Sequence, residues 1–396
     1  MSPTMQTILT ITDWVLFALL GFATAYLFIF ALASMRRRRD RFPAARIEHR
    51  MAVLIPAYRE DRVIDQSVEA ILAQQYPRER YEAVVIADHC APATLERLGQ
   101  LPIRLLEVEF ENSSKAKALN YAVAQLAAAG ETFDMAVILD ADNTVAPDFL
   151  SRLNDGYHSG AQAIQAHRRA KNLHTDTALL DAVSEEINNS IFRKGHVALG
   201  VSSALIGSGM AFDYNWFCNN ITQVSSAGED KELEVLLLKQ GIFIEYLDDV
   251  EVLDEKTAGS RAFYNQRRRW LAAQWYSLKA AVRDLPGAVL EGNFDYCDKL
   301  VQWMMPPRVL LLGLIPLAAL VITFVDPASS AKWWLLLAAL LFALCFAIPD
   351  YLVDKPLKRA IRKIPLLMLL MALNLLRLRG TRDKFFHTEH GSSEKA

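Results

Sequence analysis

Several signatures that would place this chain quickly are missing. The four cysteines, Cys90, Cys218, Cys297 and Cys345, are scattered and form no C-x-x-C pair. That argues against a disulfide framework and against a zinc site. No G-x-G-x-x-G is present, so a dehydrogenase-type dinucleotide fold lacks support. No G-x-x-x-x-G-K-[ST] loop occurs, which excludes a P-loop enzyme. The G-x-S-x-G elbow of a serine hydrolase is absent too. His387 and His390 stand close together with no further ligands nearby, as expected of a solvated tail. An excess of one charge is also lacking: the net charge is −2, so no overall nucleic-acid signature exists.

What the chain has in quantity is apolar side chains. They make up 52% of its 396 residues, above the soluble norm, and the excess sits at the two ends. Residues 8–33 are nearly all apolar, long enough to cross a hydrocarbon core of about 30 Å. Arg36, Arg37, Arg38, Arg39 and Arg41 follow at once. A cleavable signal peptide has its basic cluster before a shorter core. The positive-inside rule therefore puts the N-terminus outside and the chain after Arg36 in the cytoplasm. That position also explains the arginines without a nucleic-acid patch. Residues 309–325 and 333–353 are two more apolar runs, predicted as a hairpin around a loop that starts at Asp326. The loop has no base before Lys332, which suits the outer face. Lys355, Lys358, Arg359, Arg362 and Lys363 suit the cytoplasmic return. Residues 364–376 are short for a span and flanked by bases, so an interfacial or re-entrant helix is expected, with a third C-terminal span as the alternative. Residues 294–305 mix aromatics with Asp and Lys and read as a second interfacial helix. The expected organisation is a span within 1–35, a cytoplasmic domain over 46–285, interfacial helices and the hairpin over 290–380, and a tail over 381–396.

Between the apolar ends, strand-like and helix-like segments alternate. Residues 51–58, 81–87 and 103–108 read as strands, with helices after the first two, a further helix over 115–128 and an apolar strand beginning at Met135. Such alternation predicts a doubly wound parallel sheet. Successive strands end at Tyr58, Asp88 and Asp140, and in such a sheet these ends gather along one crevice. Asp140 and Asp142, two apart in extended chain, would point the same way. Two hard oxygen donors suit a divalent cation that also takes phosphate oxygens. A plain polar strand exit would explain them equally well. Beyond Asp142 the order changes. A helix is expected over 175–193, a glycine-containing turn leads into a strand near Met210, and Gly228, Glu229 and Asp230 open a further helix. Asp230 reads as either a first-turn cap or a catalytic group. A strand is expected over 242–247. Gln266, Arg267, Arg268, Arg269 and Trp270 can hold phosphates and stack on a ring, or form a juxtamembrane patch on lipid. Gln165, His167 and Arg168 are further pocket candidates.

Taken in order, these motifs resemble the membrane-bound branch of the family 2 glycosyltransferases, which includes cellulose, hyaluronan and nodulation chitin-oligosaccharide synthases. The resemblance covers residues 51–270 or so. It implies a GT-A-type doubly wound mixed α/β sheet with flanking transmembrane helices. Pro56, Ala57, Tyr58 and Glu60 resemble the first-strand motif of the nucleotide-sugar site, and Asp88 the aspartate that contacts the base. Asp140 and Asp142 resemble the diphosphate and metal motif, which places Mg²⁺ or Mn²⁺ on Asp142. Lys115 resembles the basic turn. Asp230 matches the catalytic base. Gln266, Arg269 and Trp270 match the Q-x-x-R-W signature, with Arg269 on the donor diphosphate, and Trp270, Gln266, Gly209 and Met210 toward the acceptor. The chain departs from the family where Asp88, His89 and Cys90 replace the Asp-Asp-Gly or Asp-x-Ser of many members. It also has fewer C-terminal spans than the larger synthases. The implied activity is inverting transfer from a nucleotide-diphosphate sugar, taken as a UDP-sugar, to a growing poly- or oligosaccharide at the cytoplasmic face of the bacterial inner membrane. Single addition to a lipid-linked acceptor is the alternative, and a catalytically silent export scaffold is the competing class. Implied partners are the donor, the acceptor and membrane lipids, with a homo-oligomer or export partner left open and no nucleic acid.

Overall fold

The computed structural model describes residues 3–36, 42–226, 228–256, 260–353 and 356–357, with only the backbone path for 260–265. The expectations for 364–376, for most of the arginine run after Arg36, for the bases after 354 and for the tail lie outside the described residues.

The first apolar run forms helix α1 (Pro3–Ser34). The alternating region then builds β1 (Met51–Tyr58), α2 (Ile64–Leu72), β2 (Tyr81–Asp88), α3 (Pro92–Gly99), β3 (Arg104–Val108), α4 (Lys115–Ala128) and β4 (Met135–Ile138). Met51 to Ile55 of β1 are fully buried, as expected for a strand covered on both faces. β1 pairs in parallel with β2 on one side and β4 on the other, and β2 pairs in parallel with β3. Ser114 starts α4 by accepting a bond from the Lys117 amide at 3.3 Å, a serine N-cap.

The second half adds β5 (Thr144–Val145), α5 (Phe149–His158), β6 (Ala163–Ala170), α6 (Asp176–Asn188), α7 (His196–Ala198), β7 (Met210–Asp213), α8 (Tyr214–Ile221), α9 (Glu229–Lys239) and β8 (Ile244–Asp254). A π-helical stretch, Asn189–Gly195, joins α6 to α7. The sheet order is β3-β2-β1-β4-β7-β6-β8-β5. β7 runs antiparallel to both β4 and β6, so the sheet is mixed. The parallel order expected from alternation holds for β3-β2-β1-β4, and beyond it the sheet is mixed, as the family resemblance implies, because the chain re-enters between β4 and β6 in the opposite direction. The sheet buries one apolar core on each face.

The chain continues through α10 (Ser260–Ala281), α11 (Leu285–Leu290) and α12 (Phe294–Met304) to α13 (Arg308–Val325) and α14 (Pro327–Ala347). The loop expected between the last two helices shrinks to Asp326, whose carboxylate accepts from the Ser329 amide at 3.3 Å. Pro327 occupies the first turn, where its missing N–H costs nothing. α1, α13 and α14 are long and apolar enough to cross a membrane. They share a third core with α6. The contact is close at Gly195: a Cβ there would stand 2.2 Å from the Phe30 carbonyl oxygen of α1.

Candidate active site

The strand ends of the parallel half meet at one cavity of about 670 Å³. The chain turns there with some backbone cost. Arg59 and His89, the residues that follow β1 and β2, both have φ of 55°, a left-handed conformation that strains a non-glycine residue. The Arg59 amide donates to the Asp88 carbonyl at 3.0 Å. Asp88 is buried, and its Oδ1 accepts from His89 Nδ1 at 2.6 Å and from the Phe110 amide at 3.2 Å. The Tyr58 ring stands edge-on to His89 with centroids 5.8 Å apart. Pro56, Ala57, Tyr58, Glu60 and Asp88 all line the cavity.

Asp140 and Asp142 line it too, but not as two side chains on one strand. β4 ends at Ile138. The Asn143 amide then donates back to the Asp140 carbonyl at 3.1 Å, closing a turn. The Asp140 amide donates to Ser208 Oγ at 2.9 Å. The extended geometry expected for this pair is therefore replaced by a turn pinned through Asn143 and Ser208. Asp140 pairs with Lys115 Nζ, which also donates to the Gly207 carbonyl at 2.6 Å and lies 3.6 Å from Glu229 Oε1. Burial works against the Lys115 charge, but Asp140 and Glu229 outweigh it and raise its pKa. Asp142 is more deeply set: Oδ1 accepts from Asn143 Nδ2 at 3.1 Å, and Oδ2 from the Glu255 amide at 3.2 Å.

Across the cavity, α9 opens with Glu229 and Asp230 in its first turn. Burial pushes the Glu229 carboxyl up to about 7, with Asp230 and Asp140 adding to the effect and Lys115 opposing it. Asp230 Oδ1 accepts from the Lys231 amide at 2.9 Å. Gln266, Arg269 and Trp270 of α10 complete this wall. Burial lowers the Arg269 pKa against the pull of Glu229 and Asp140. The Arg267 guanidinium lies over the Trp270 ring, 4.9 Å from its centroid.

Two expected acceptor residues, Gly209 and Met210, are not in the lining. Met210 is fully buried in the sheet. The Gly209 amide donates to the Ile138 carbonyl at 2.9 Å, and its own carbonyl accepts from Ala166 at 2.8 Å. Both positions are taken up by sheet pairing. Gln165 is likewise spent on the backbone of Ala166, Ser208 and Ile206. His167 bonds Glu186 and Tyr246 at 3.0 and 2.9 Å.

Sequence reasoning named Arg168 but not the buried quartet it belongs to behind Asp140. Arg168 Nε lies 2.8 Å from Glu185 and 3.6 Å from Asp254, and Lys256 contacts both carboxylates, Asp254 at 2.6 Å. Burial opposes the Glu185 charge, but Arg168 and Lys256 hold its pKa well below the usual range. Lys171 Nζ donates to the Asp142 carbonyl. The available signal was charge in the wrong place: Glu185 and Glu186 interrupt an otherwise apolar helix face.

A divalent cation can be tested against this donor set. Among the described residues no cluster of three or more His, Cys, Asp or Glu side chains could hold a metal. Asp140 and Asp142 alone suit a cation whose remaining ligands are water and substrate phosphate, as Mg²⁺ prefers.

The sheet order, its mixed half and a cavity at the strand ends define a GT-A-type fold. Residues 49–273 match the family profile described as "Glycosyltransferase like family 2", and the chain belongs to that family; it is a glycosyltransferase. A relative named N-acetylglucosaminyltransferase, from Sinorhizobium fredii, is 23% identical over 305 residues, 70% of this chain and 69% of the relative. "Probable glycosyltransferase YdaM" of Bacillus subtilis is 30% identical over 102 residues, 24% of this chain and 23% of that protein. Among solved structures, the mannosyltransferase PcManGT from Pyrobaculum calidifontis, in complex with GDP-Man and Mn2+, superposes with a TM-score of 0.53 at 19% identity, covering 84% of this chain and 97% of that one.

Proposed function

We propose that this glycosyltransferase is membrane-bound and inverting, and moves a sugar from a UDP-sugar to a hydroxyl of a growing saccharide at the cytoplasmic face of a bacterial inner membrane. The observation that carries the reading is one cavity lined by Asp140, Lys115, Asp230, Arg269 and Trp270 and also by Leu27, Leu311 and Leu344 of the three apolar helices. On this reading 1–35 anchors the chain, 46–285 is the catalytic domain, 290–380 returns to the membrane and 381–396 is a cytoplasmic tail.

In the reaction, the acceptor oxygen attacks the anomeric carbon from the face opposite the diphosphate. The bond from that carbon to the diphosphate oxygen breaks, and its electron pair leaves with the nucleotide. Asp230 accepts the hydroxyl proton as general base. Lys115 and Arg269 offset the negative charge growing on the leaving group. Trp270 and Gln266 border the space for the acceptor. Asp88 and Tyr58 face the nucleoside end. A divalent cation on Asp142, with Asp140 beside it, would supply further charge neutralisation. The Mn2+ in the mannosyltransferase complex supports that assignment, and the name of the Sinorhizobium relative supports an N-acetylhexosamine donor.

A second reading, single addition to a lipid-linked acceptor, is favoured by the apolar far end of the cavity. Nucleotide release and product mass, read together across UDP- and GDP-sugars on purified membranes, test the reaction. A product ladder supports chain growth and one species supports single addition. Asp230→Asn should lower kcat by about 10²- to 10⁴-fold. Full turnover in a folded Asp230→Asn enzyme would remove it as the base.

A further inference from the structure

The membrane-side end of the cavity holds charge that the transfer chemistry does not use. Arg308 is the first residue of α13. Its Nη2 donates to the Ser184 carbonyl at 3.1 Å and to Ser184 Oγ at 3.3 Å. Its Nη1 is buried and, among the described residues, has no hydrogen-bond partner. An arginine at the end of a membrane helix ordinarily snorkels to water. This one points inward, against the Phe192 ring, 6.0 Å from its centroid. Two more arginines, Arg267 and Arg193, lie close enough to repel its charge. Arg267 pairs with Asp181. Arg193 is buried; its Nη1 donates to Asn189 Oδ1 at 2.8 Å and its Nε to the Ala204 carbonyl at 3.1 Å. Among the described residues, neither Arg193 nor Arg308 has a carboxylate within ion-pair distance.

A buried guanidinium nitrogen with no acceptor is costly unless something occupies the space before it. Guanidinium groups match the oxygens of a phosphate. The surroundings narrow the ligand further. On one side of the arginines the lining comes from the apolar spans, through Leu27, Leu311, Leu312 and Leu344. On the other, Arg267 leads along α10 to Arg269 and Trp270 beside Asp230. One cavity thus joins hydrocarbon-lined, cationic and Asp230-bearing walls.

We propose that this end of the cavity is the phosphate subsite of a lipid-linked acceptor. Arg308 and Arg193 hold the phosphate, the hydrocarbon leaves against α1, α13 and α14, and the acceptor sugar reaches Asp230. This rests on the transferase reading above and selects the lipid-linked acceptor within it.

The test uses the full chain in a neutral detergent, with dodecyl phosphate, dodecanol and inorganic phosphate as probes. Binding is read by quenching of tryptophan fluorescence, since Trp270 and Trp303 line the cavity, and by the shift in Tm. Dodecyl phosphate should bind more tightly than either partial mimic. Arg308→Gln should weaken it by roughly 10- to 100-fold, while leaving UDP affinity unchanged as a measure of the fold. Arg308→Lys keeps the charge but cannot span Ser184 and the phosphate together, so it should lose less. Equal dodecyl phosphate affinity in Arg308→Gln would overturn the subsite. So would inorganic phosphate binding as tightly as dodecyl phosphate, which would mark a site for soluble anions. The two readings fail separately. If no sugar donor is turned over but Arg308→Gln still loses dodecyl phosphate, the subsite stands and the transfer assignment falls. Turnover with an indifferent Arg308 removes the subsite alone.

Discussion

Replacing Glu229 with glutamine removes a charge that the fold holds at a cost. The residue is 7% exposed, and burial pushes its carboxyl up to about 7 from the usual 4.5. Each pKa unit is worth about 1.4 kcal/mol, so ionised Glu229 destabilises the folded state by about 3 kcal/mol. The sign follows from the raised value. Between about 4.5 and about 7 the folded chain holds a proton that the unfolded chain has lost, so this contribution to stability declines as pH rises through that window and is gone above it. Glutamine carries no such penalty. The Glu229→Gln protein should therefore out-melt the parent at about pH 8 and lose most of that advantage at about pH 5. For a chain of this size, about 3 kcal/mol corresponds to a few degrees in Tm. Paired thermal scans in one detergent, at matched rates, suffice. A Tm gap of the same size at both pH values would refute the argument, because it would show that Glu229 does not change charge between them. The pH profile of kcat/KM gives a second reading: an inflection near neutrality in the parent should vanish in Glu229→Gln if that carboxyl causes it.

Three further predictions rest on other contacts. Gly209 has φ of +64°, and an added Cβ would meet Val252 Cγ2 at 2.8 Å, so Gly209→Ala should cost about 2 to 4 kcal/mol, seen as a lowered Tm. Gly195→Ala places a methyl group against the Phe30 carbonyl and should loosen α1 from the π-helical stretch, measured as faster proteolysis between α1 and β1; unchanged cleavage would mean that the two helices re-space freely. Chelation by EDTA should abolish turnover and restored Mg²⁺ or Mn²⁺ should return it, whereas Asp142→Ala should stay inactive at any metal concentration; turnover that survives EDTA would remove the metal.

The parallel half of the sheet was legible because its chemistry is local. β1, β2 and α4 begin and end within a residue of where the apolar runs and the helical pattern from Lys115 place them. β6 was not legible. Its sequence carries His167, Arg168 and Arg169, and those charges make sense only beside Glu185, Asp254 and Glu251, partners supplied by α6 and β8. The turn at Asp140 was hidden for a similar reason, since Ser208, which pins it, lies far along the chain. Gly209 and Met210 pair within the sheet, while Gly207 of the same turn lines the cavity. Arg308 was not singled out in the sequence, and only packing shows that it faces inward.

Helix α1 is more than a tether. Tyr26 donates to Asp298 of α12 at 2.5 Å and meets His196 Nε2 at 2.8 Å, while Phe30 stacks on the His196 ring at 3.6 Å. Lys299, next along α12, reaches Glu234 of α9 at 3.0 Å, one turn beyond Asp230. The proposed general base is thus indexed to the first apolar helix through a short series of polar contacts. Trimming the chain before residue 46 to obtain a soluble enzyme would strip the cover from His196 and Asp298 and leave α9 without its outer reference. The shortened protein should be hard to keep in solution, and a detergent-extracted full chain is the better starting material for crystals, microscopy or inhibitor screening.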